Sequence, residues 1–354
     1  MYLTIVIPTY KERENLPELF DRIFKVFDQL NGYCEIIIVD DNSNDGTKEY
    51  ANKIWRHPVT VLVRKHEKGL ATACVLGFKH AKGNKIIVMD GDLQHPPEKI
   101  LEMVSKLENS ADVVIGSRYF GDGTAGSFGL KRKIISKGAG LLFNSFFPDI
   151  KTTDTQSGFF GFRKKVIKNV DLKPRGYKIL LEILVHGNYK KIEEIGFTFG
   201  ERQKGKSKLG FFTIFSYLSH LYHLLWSSGK MKTMLQFFFV GFTGVFVNLG
   251  SLYIFTNMGL YYVVSGVIAV ELSLITNFLI NRFWTFKKEA KTVKLFRSLY
   301  RDHLIRSIGI LIKISCLFIL TEIFGLFYII SMLIGIGIAT MWNFLGNIRW
   351  VWKK

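Results

Sequence analysis

Val88-Met89-Asp90-Gly91-Asp92-Leu93-Gln94-His95-Pro96-Pro97 closes an apolar, strand-like run with two carboxylates and an amide at alternating positions, then stops at a prolyl pair. A buried strand that ends in two negative charges either caps a turn in water or holds a cation that another group needs. Two further strand-like runs end in the same manner. "IVIPTYKERENL" turns through Pro8, Tyr10 and Glu12, and "IIIVDDNSNDGT" ends in Asp40-Asp41 and a turn-rich loop. One acidic strand end is weak testimony, since Asp and Asn are ordinary turn and N-cap residues. Three at one sheet edge point to a ligand, because open parallel sheets bind at the carboxyl ends of their strands.

Those runs belong to a longer alternation. Short apolar segments at 3–7, 35–39, 60–63, 85–89 and 112–115 are separated by helical patterns such as 15–30 and 69–81. This is the pattern of a mostly parallel sheet with helices on both faces, an α/β, Rossmann-like domain over residues 1–208. The N-terminus "MYLTIVIPTYKE" lacks a basic leader and a cleavage site, and reads as the first buried strand rather than a signal peptide.

The character changes after Lys208. The 354-residue chain has 48% hydrophobic residues, a net charge of +19 and a mean hydropathy of +0.17. That combination calls for a polar part and a membrane part. Residues 209–230, "LGFFTIFSYLSHLYHLLW" and its continuation, read as an amphipathic interface helix, and "AGLLFNSFF" (139–147) as a second one. Residues 231–354 then hold four apolar stretches, at about 233–256, 260–283, 304–323 and 326–348. Roughly 20 helical residues cross a hydrocarbon core of ~30 Å, so four spans form an all-α transmembrane domain. "NFLINRFWTFKK" (277–288) matches "NFLGNIRWVWKK" (343–354) at a constant offset of 66, which makes two parallel hairpin repeats. Asn277, Asn281, Asn343 and Asn347 are expected to bond helix to helix, and Trp284, Trp350 and Trp352 to anchor at the membrane interface.

Basic residues set the orientation. The loop 287–301 carries Lys287, Lys288, Lys291, Lys294, Arg297 and Arg301, and the other two loops carry no charge. The expectation is a cell-membrane protein with its catalytic domain and both termini cytoplasmic. Nucleic acid is not expected as a partner. Residues 231–354 hold thirteen Lys/Arg against four Asp/Glu, so nine of the nineteen net charges belong to the membrane half. Cys34, Cys74 and Cys316 have neither metal nor disulfide spacing.

"PTYKERENL", "VDDNSNDGT" and the D-x-D of "MDGDLQHPPE" resemble the inverting family-2 glycosyltransferases of GT-A fold. "GSRY", "LKRKIISKGAG", "TDTQSGFFGFRK" and "FGERQKGKSKLG" resemble the dolichol-phosphate mannose synthases among them, over roughly residues 1–210. The family's usual Asn after Pro-Thr-Tyr is Lys11 here. The tail is similar to small membrane proteins associated with polyprenyl-linked sugars. The resemblance implies a metal-dependent dolichyl-phosphate β-D-mannosyltransferase that moves mannose from GDP-mannose to dolichyl or polyprenyl phosphate with inversion. No obligatory protein partner is inferred beyond the bilayer. Two other readings stay open: a polyprenyl-phosphate glucosyltransferase using UDP-glucose, and a lipid-linked-sugar transport or assembly protein.

Each part then has an expected task. A departing diphosphate needs a divalent cation, and hard cations take oxygen ligands. Asp90, Asp92 and Gln94 are assigned to Mg2+ or Mn2+, on the ground that alternating positions of a strand end point to one side. Pro8, Tyr10, Glu12, Val39, Asp40, Asp41 and Gly91 are expected to line the nucleotide-sugar pocket. Arg202 and Lys208, in a basic cluster with Lys206 and Ser207, would hold the donor diphosphate. A phosphate acceptor is already anionic and needs cations rather than a general base. Arg118, Arg132, Lys133 and Ser136 are assigned to it, Arg for its bidentate grip on phosphate. Asp90, Asp92, Arg118 and Arg132 form the expected catalytic set. Asp154 and Gln156, in "TDTQSG", either contact the mannose or orient the arginines, or else form a simple turn.

Overall fold

The computed structural model describes residues 2–54, 56–126, 129–173, 175–200 and 211–353. The chain divides into two compact units, Met1–Leu224 and Leu225–Lys354.

The first unit is built on one seven-stranded sheet. Its strands are β1 (Tyr2–Thr9), β2 (Tyr33–Asp40), β3 (Val59–Val63), β4 (Lys85–Val88), β5 (Val113–Ser117), β6 (Phe160–Arg163) and β7 (Ile192–Gly196). They lie in the order β3-β2-β1-β4-β6-β5-β7. All neighbouring pairs are parallel except those of β6, which runs antiparallel to β4 and β5. The strands are apolar without alternation because both faces are covered. Leu3, Ile5, Ile7, Ile36, Ile38 and Ile87 join one core with Leu16, Leu19, Phe20, Ile23 and Phe27 of α1 (Leu16–Phe27). On the other face α3 (Leu70–His80) approaches so closely that a Cβ at Gly77 would collide with Val6. α2 (Thr47–Ala51), α4 (Lys99–Asn109) and α6 (Ile179–His186) complete the α/β layers.

The topology decides where a ligand can sit. The chain winds outward through β1, β2 and β3, then returns to the other side of β1 as β4. That reversal opens a crevice at the carboxyl ends of β1 and β4. Val88 of β4 and Ile115 of β5 both pair with Phe160, the first residue of antiparallel β6. The loop that enters β6 therefore lies at the same edge as the segments leaving β4 and β5. Ser117 pairs with Gly196, which brings the segment after β7 there as well.

Two helices carry exposed apolar faces. α5 (Leu130–Phe146) extends the expected 139–147 helix by more than two turns. It buries Phe143 and Phe146 and exposes Ile134, Ile135 and Leu141. α7 (Phe211–Ser227) buries Tyr217, His220, Leu221 and Leu224 at helical spacing. Its opposite side exposes Phe215, Leu218, Tyr222 and Trp226.

The second unit holds α8 (Lys230–Asn257), α9 (Tyr262–Ile280), α10 (Lys287–Ala290), α11 (Leu295–Phe318) and α12 (Tyr328–Gly346). With their π-helical extensions, four of these are long and apolar enough to cross a membrane: Lys230–Asn257, Tyr262–Thr285, Leu295–Ile323 and Tyr328–Val351. α8 packs on α9 and α11 on α12. The offset of 66 recurs in the backbone, since π-helical turns follow α9 at Asn281–Thr285 and α12 at Asn347–Val351. A similar packing recurs in both repeats: a Cβ at Gly244 would collide with Asn277, and one at Gly309 with Asn343, the asparagines 66 positions apart and the glycines 65.

Two details differ from the sequence reading. The basic stretch 287–301 is largely helical, formed by α10 and the first turns of α11. Arg301 there donates to the carbonyls of Trp350 and Lys353. Trp352 is not an interfacial anchor. It is 4% exposed, and its ring stacks on Phe278 and Phe286 with centroids 5.6 Å away in each case. Trp284 and Trp350 remain about half-exposed, as anchors require.

Candidate active site

The acidic segment after β4 is a bent loop rather than a strand end. β4 stops at Val88, and Leu93 takes φ 62°, so the pleat does not set the directions of Asp90, Asp92 and Gln94. Specific bonds do. His95 accepts the Asp90 backbone N–H on Nδ1 at 3.0 Å. Its ring is fully buried, stacked on Phe159 and edge-on to Phe197 and Phe199. Burial pushes the imidazole down to about 4, so it stays neutral and keeps its acceptor lone pair. Asp92 accepts the Gln94 backbone N–H at 3.2 Å. Gln94 and Gly200 bond twice, Gln94 Nε2 to the Gly200 carbonyl and the Gly200 N–H to the Gln94 carbonyl, each at 3.0 Å. Gly91 lies against the end of β1, where a Cβ would stand 3.3 Å from Thr9.

These groups fit a hard divalent ion. Beside the Asp90 carboxylate is Gly158, where an added Cβ would stand 3.2 Å from Oδ2, so the glycine keeps that carboxylate uncrowded. The Gln94 amide nitrogen is committed to Gly200, which leaves its oxygen as the ligand atom. No cluster of three or more His, Cys, Asp or Glu with metal-site geometry occurs among the described residues.

The ends of β1 and β2 are knitted together. Asp40 accepts from Thr9 Oγ1, from the Ser43 N–H at 2.9 Å and from the Ser43 hydroxyl. Asp41 accepts from Arg64 and from the Gly69 N–H at 2.8 Å. Both carboxylates therefore hold the loop's shape, and a nucleotide would meet them as already bonded groups. Val39 is fully buried with its side chain against Gly77, so only its backbone can face a ligand. Pro8 ends β1 beside Val39. Tyr10 is 39% exposed, with Lys11 and Lys68 ammonium groups 5.5 Å from its ring centroid. Glu12 accepts from Asn15 Nδ2 at 2.6 Å. Lys11 takes φ 62°, a conformation Asn adopts readily, and donates its backbone N–H to Ser43 Oγ at 2.8 Å. The departure from the family's Asn thus falls where the backbone, rather than the side chain, makes the contact.

The cationic side follows β5 and precedes β6. Arg118 is buried and bound by Asp154, which also accepts the Arg118 backbone N–H. Burial alone would lower the guanidinium's affinity for its proton, but the Asp154 bonds and charge raise it overall. Gln156 donates its backbone N–H to Asp154 Oδ1 at 3.2 Å. Asp154 thereby holds the orientation of Arg118. On α5, Arg132 and Lys133 are half-buried, and Ser136 Oγ is shielded with no hydrogen-bond partner among the described residues. Arg202, Lys206, Ser207 and Lys208 lie outside the described residues.

Lys178 was not singled out in the sequence. It stands just before α6 and donates to the Gln156 carbonyl at 2.5 Å. Burial, then the Arg118 charge, pull its ammonium down to about 8; Asp90, Asp154 and Arg132 also act on it. One lysine thus feels the D-x-D segment, the Arg118–Asp154 pair and α5 together. The available signal was a lone Lys at the head of "ILLEIL", a run too apolar to leave solvent access for an idle charge.

Comparison with known proteins bears on this arrangement. The chain is 41% identical over 354 residues to a dolichol-phosphate mannosyltransferase of Pyrococcus furiosus, covering 99% of both chains. The chain belongs to the dolichol-phosphate mannosyltransferase family. Within this family, a Mycosarcoma maydis member is 37% identical over 62% of this chain and 78% of its own length. The model "Glycosyl transferase family 2" matches residues 4–171, and "GtrA/DPMS, transmembrane domain" matches residues 236–352. This mannosyltransferase-family chain is therefore a membrane-embedded family-2 glycosyltransferase. Among solved structures, glucosyl-3-phosphoglycerate synthase from Mycobacterium tuberculosis, with Mn2+, UDP and glucosyl-3-phosphoglycerate, overlaps with a TM-score of 0.48 and 14% identity. That overlap covers 64% of this chain and 79% of that one.

Proposed function

We propose that the protein transfers mannose from GDP-mannose to dolichyl phosphate, or another polyprenyl phosphate, with inversion, giving dolichyl β-D-mannosyl phosphate at the cytoplasmic face of the cell membrane. The observation that carries this reading is the bonded chain Arg118–Asp154–Gln156–Lys178 at the sheet edge, with Asp90 and Arg132 close enough to act on the Lys178 charge.

Asp90, Asp92 and Gln94 would hold Mg2+ or Mn2+, which when bound neutralises charge on the departing diphosphate. The chain's own groups do the rest. Asp154 locks the Arg118 fork, so little rotational freedom is lost when a phosphate approaches. Arg132, Lys133 and the unpartnered Ser136 hydroxyl supply donors to the acceptor phosphate. Lys178, held by the Gln156 carbonyl, would add a positive charge between acceptor and donor. An anionic phosphate oxygen attacks without a general base. Attack from the face opposite the departing diphosphate inverts the anomeric centre. The Arg202 and Lys208 assignment to the diphosphate rests on sequence. The apolar faces of α5 and α7 would rest on the lipid surface and admit the acceptor phosphate while its isoprenoid stays in the bilayer.

The test is turnover of purified protein with GDP-mannose and with UDP-glucose, dolichyl phosphate as acceptor, and the product's anomeric configuration by NMR. Mannosyl transfer giving the β-product supports the reading. Turnover with UDP-glucose alone, or an α-product, contradicts it.

A further inference from the structure

Tyr217 sits on the buried side of α7, one turn from the exposed Phe215–Trp226 face. It is 6% exposed, and its hydroxyl donates to the Ala139 carbonyl of α5 at 2.7 Å. The Gln156 side chain, which donates to Thr155 Oγ1 at 3.2 Å, lies near the same phenol. Gln156 in turn donates its backbone N–H to Asp154, which binds Arg118, and accepts Lys178 Nζ on its carbonyl. Ser216, the residue before Tyr217, abuts Gly176, which takes φ 80° and where a Cβ would stand 2.7 Å from Ser216 Oγ. One turn on, His220 pairs with Glu182 of α6 at 3.3 Å, both buried, and Glu182 accepts the Lys173 N–H at 3.2 Å. One face of one helix thus touches α5, α6 and the 173–178 loop. α5 carries Arg132 and Ser136, and the 173–178 loop carries Lys178.

We propose that Tyr217 is a positioning residue through which α7, seated in the lipid surface, sets the acceptor-phosphate side of the catalytic site. The inference rests on the function proposed above and deepens it. The helix whose outer face suits lipid is also the one whose inner face holds α5 and abuts the 173–178 loop. The donor side, built from β1, β2 and the segment after β4, takes no bond from Tyr217 among the described residues. A loss at Tyr217 should therefore divide acceptor from donor.

The experiment uses the full chain in lipid vesicles, with Tyr217→Phe, Arg132→Ala and the double variant. Apparent KM is measured separately for dolichyl phosphate and for GDP-mannose, alongside the thermal midpoint. Tyr217→Phe is expected to raise the acceptor KM about fivefold, the effect of one lost neutral hydrogen bond, with the donor KM unchanged. Arg132→Ala removes the α5 cation that Tyr217 positions through the Ala139 bond. The double variant should shift the acceptor KM no further than Arg132→Ala alone, because both changes act through α5. Equal KM shifts for donor and acceptor, additive effects, or an unchanged Tyr217→Phe would overturn the relay while wild-type transfer leaves the function standing. Absence of transfer by the wild type contradicts the proposed function and this role with it.

Discussion

The Asp154 carboxylate holds Arg118 by three bonds: Oδ2 accepts from Nε at 2.7 Å and from the backbone N–H at 3.1 Å, and Oδ1 accepts from Nη2 at 2.8 Å. Asp154 is 1% exposed and Arg118 7%. Asp154→Ala leaves a buried guanidinium without its counter-ion, a change that costs about 3–5 kcal/mol. Denaturant unfolding of the catalytic domain in the full chain checks this. A variant as stable as the wild type contradicts the pairing.

Lys178 gives a pH dependence. Its ammonium titrates near 8 in the fold, against the ordinary 10.5. The folded-state value is lowered, so the charged form costs stability below about pH 8, and that cost falls as pH rises from there toward 10.5. Function runs the other way, because a neutral amine no longer attracts phosphate. The acceptor KM is expected to rise above pH 8, and Lys178→Arg should remove that alkaline limb. An identical pH profile in wild type and Lys178→Arg contradicts the assignment.

Arg132→Ala should raise the KM for lipid phosphate about tenfold or more, the scale of a charge-assisted hydrogen bond, with a smaller effect on donor. Initial-rate kinetics with each substrate varied in turn decide it. An effect confined to the donor contradicts the division between the two sides.

In the membrane unit, Trp352 and Trp350 should separate. Trp352→Ala empties a stacked site between Phe278 and Phe286. Loss of a buried Trp typically costs about 3–5 kcal/mol, whereas the half-exposed Trp350 should be far more tolerant. Thermal melts in detergent compare the two. Equal midpoints contradict the packing.

The parallel part of the sheet was legible in the sequence because apolar runs such as Ile36–Val39 admit few other readings once Asp40-Asp41 closes them. β6 was not, because "FGFR" is four residues long and ends on a charge, and β7 was not, because "IEEIG" puts two glutamates side by side and breaks the period-2 pattern. β6 is the strand that turns the 154–159 loop toward the site, so Asp154 could be read either as a sugar contact or as an arginine holder until its pairing was seen. Lys178 depends on the fold over 60 residues from Arg118. Trp352 was read as an anchor because Trp followed by lysines has an interfacial pattern, and only the repeat's packing places that ring inside.

The most direct test of the account is mannosyl transfer by Asp92→Asn beside the wild type across a Mn2+ titration, with dolichyl phosphate and GDP-mannose saturating. The account expects the wild type to rise from a negligible metal-free rate to a plateau, and Asp92→Asn to stay near the metal-free rate with an unchanged thermal midpoint. Full, metal-independent turnover by Asp92→Asn would contradict it.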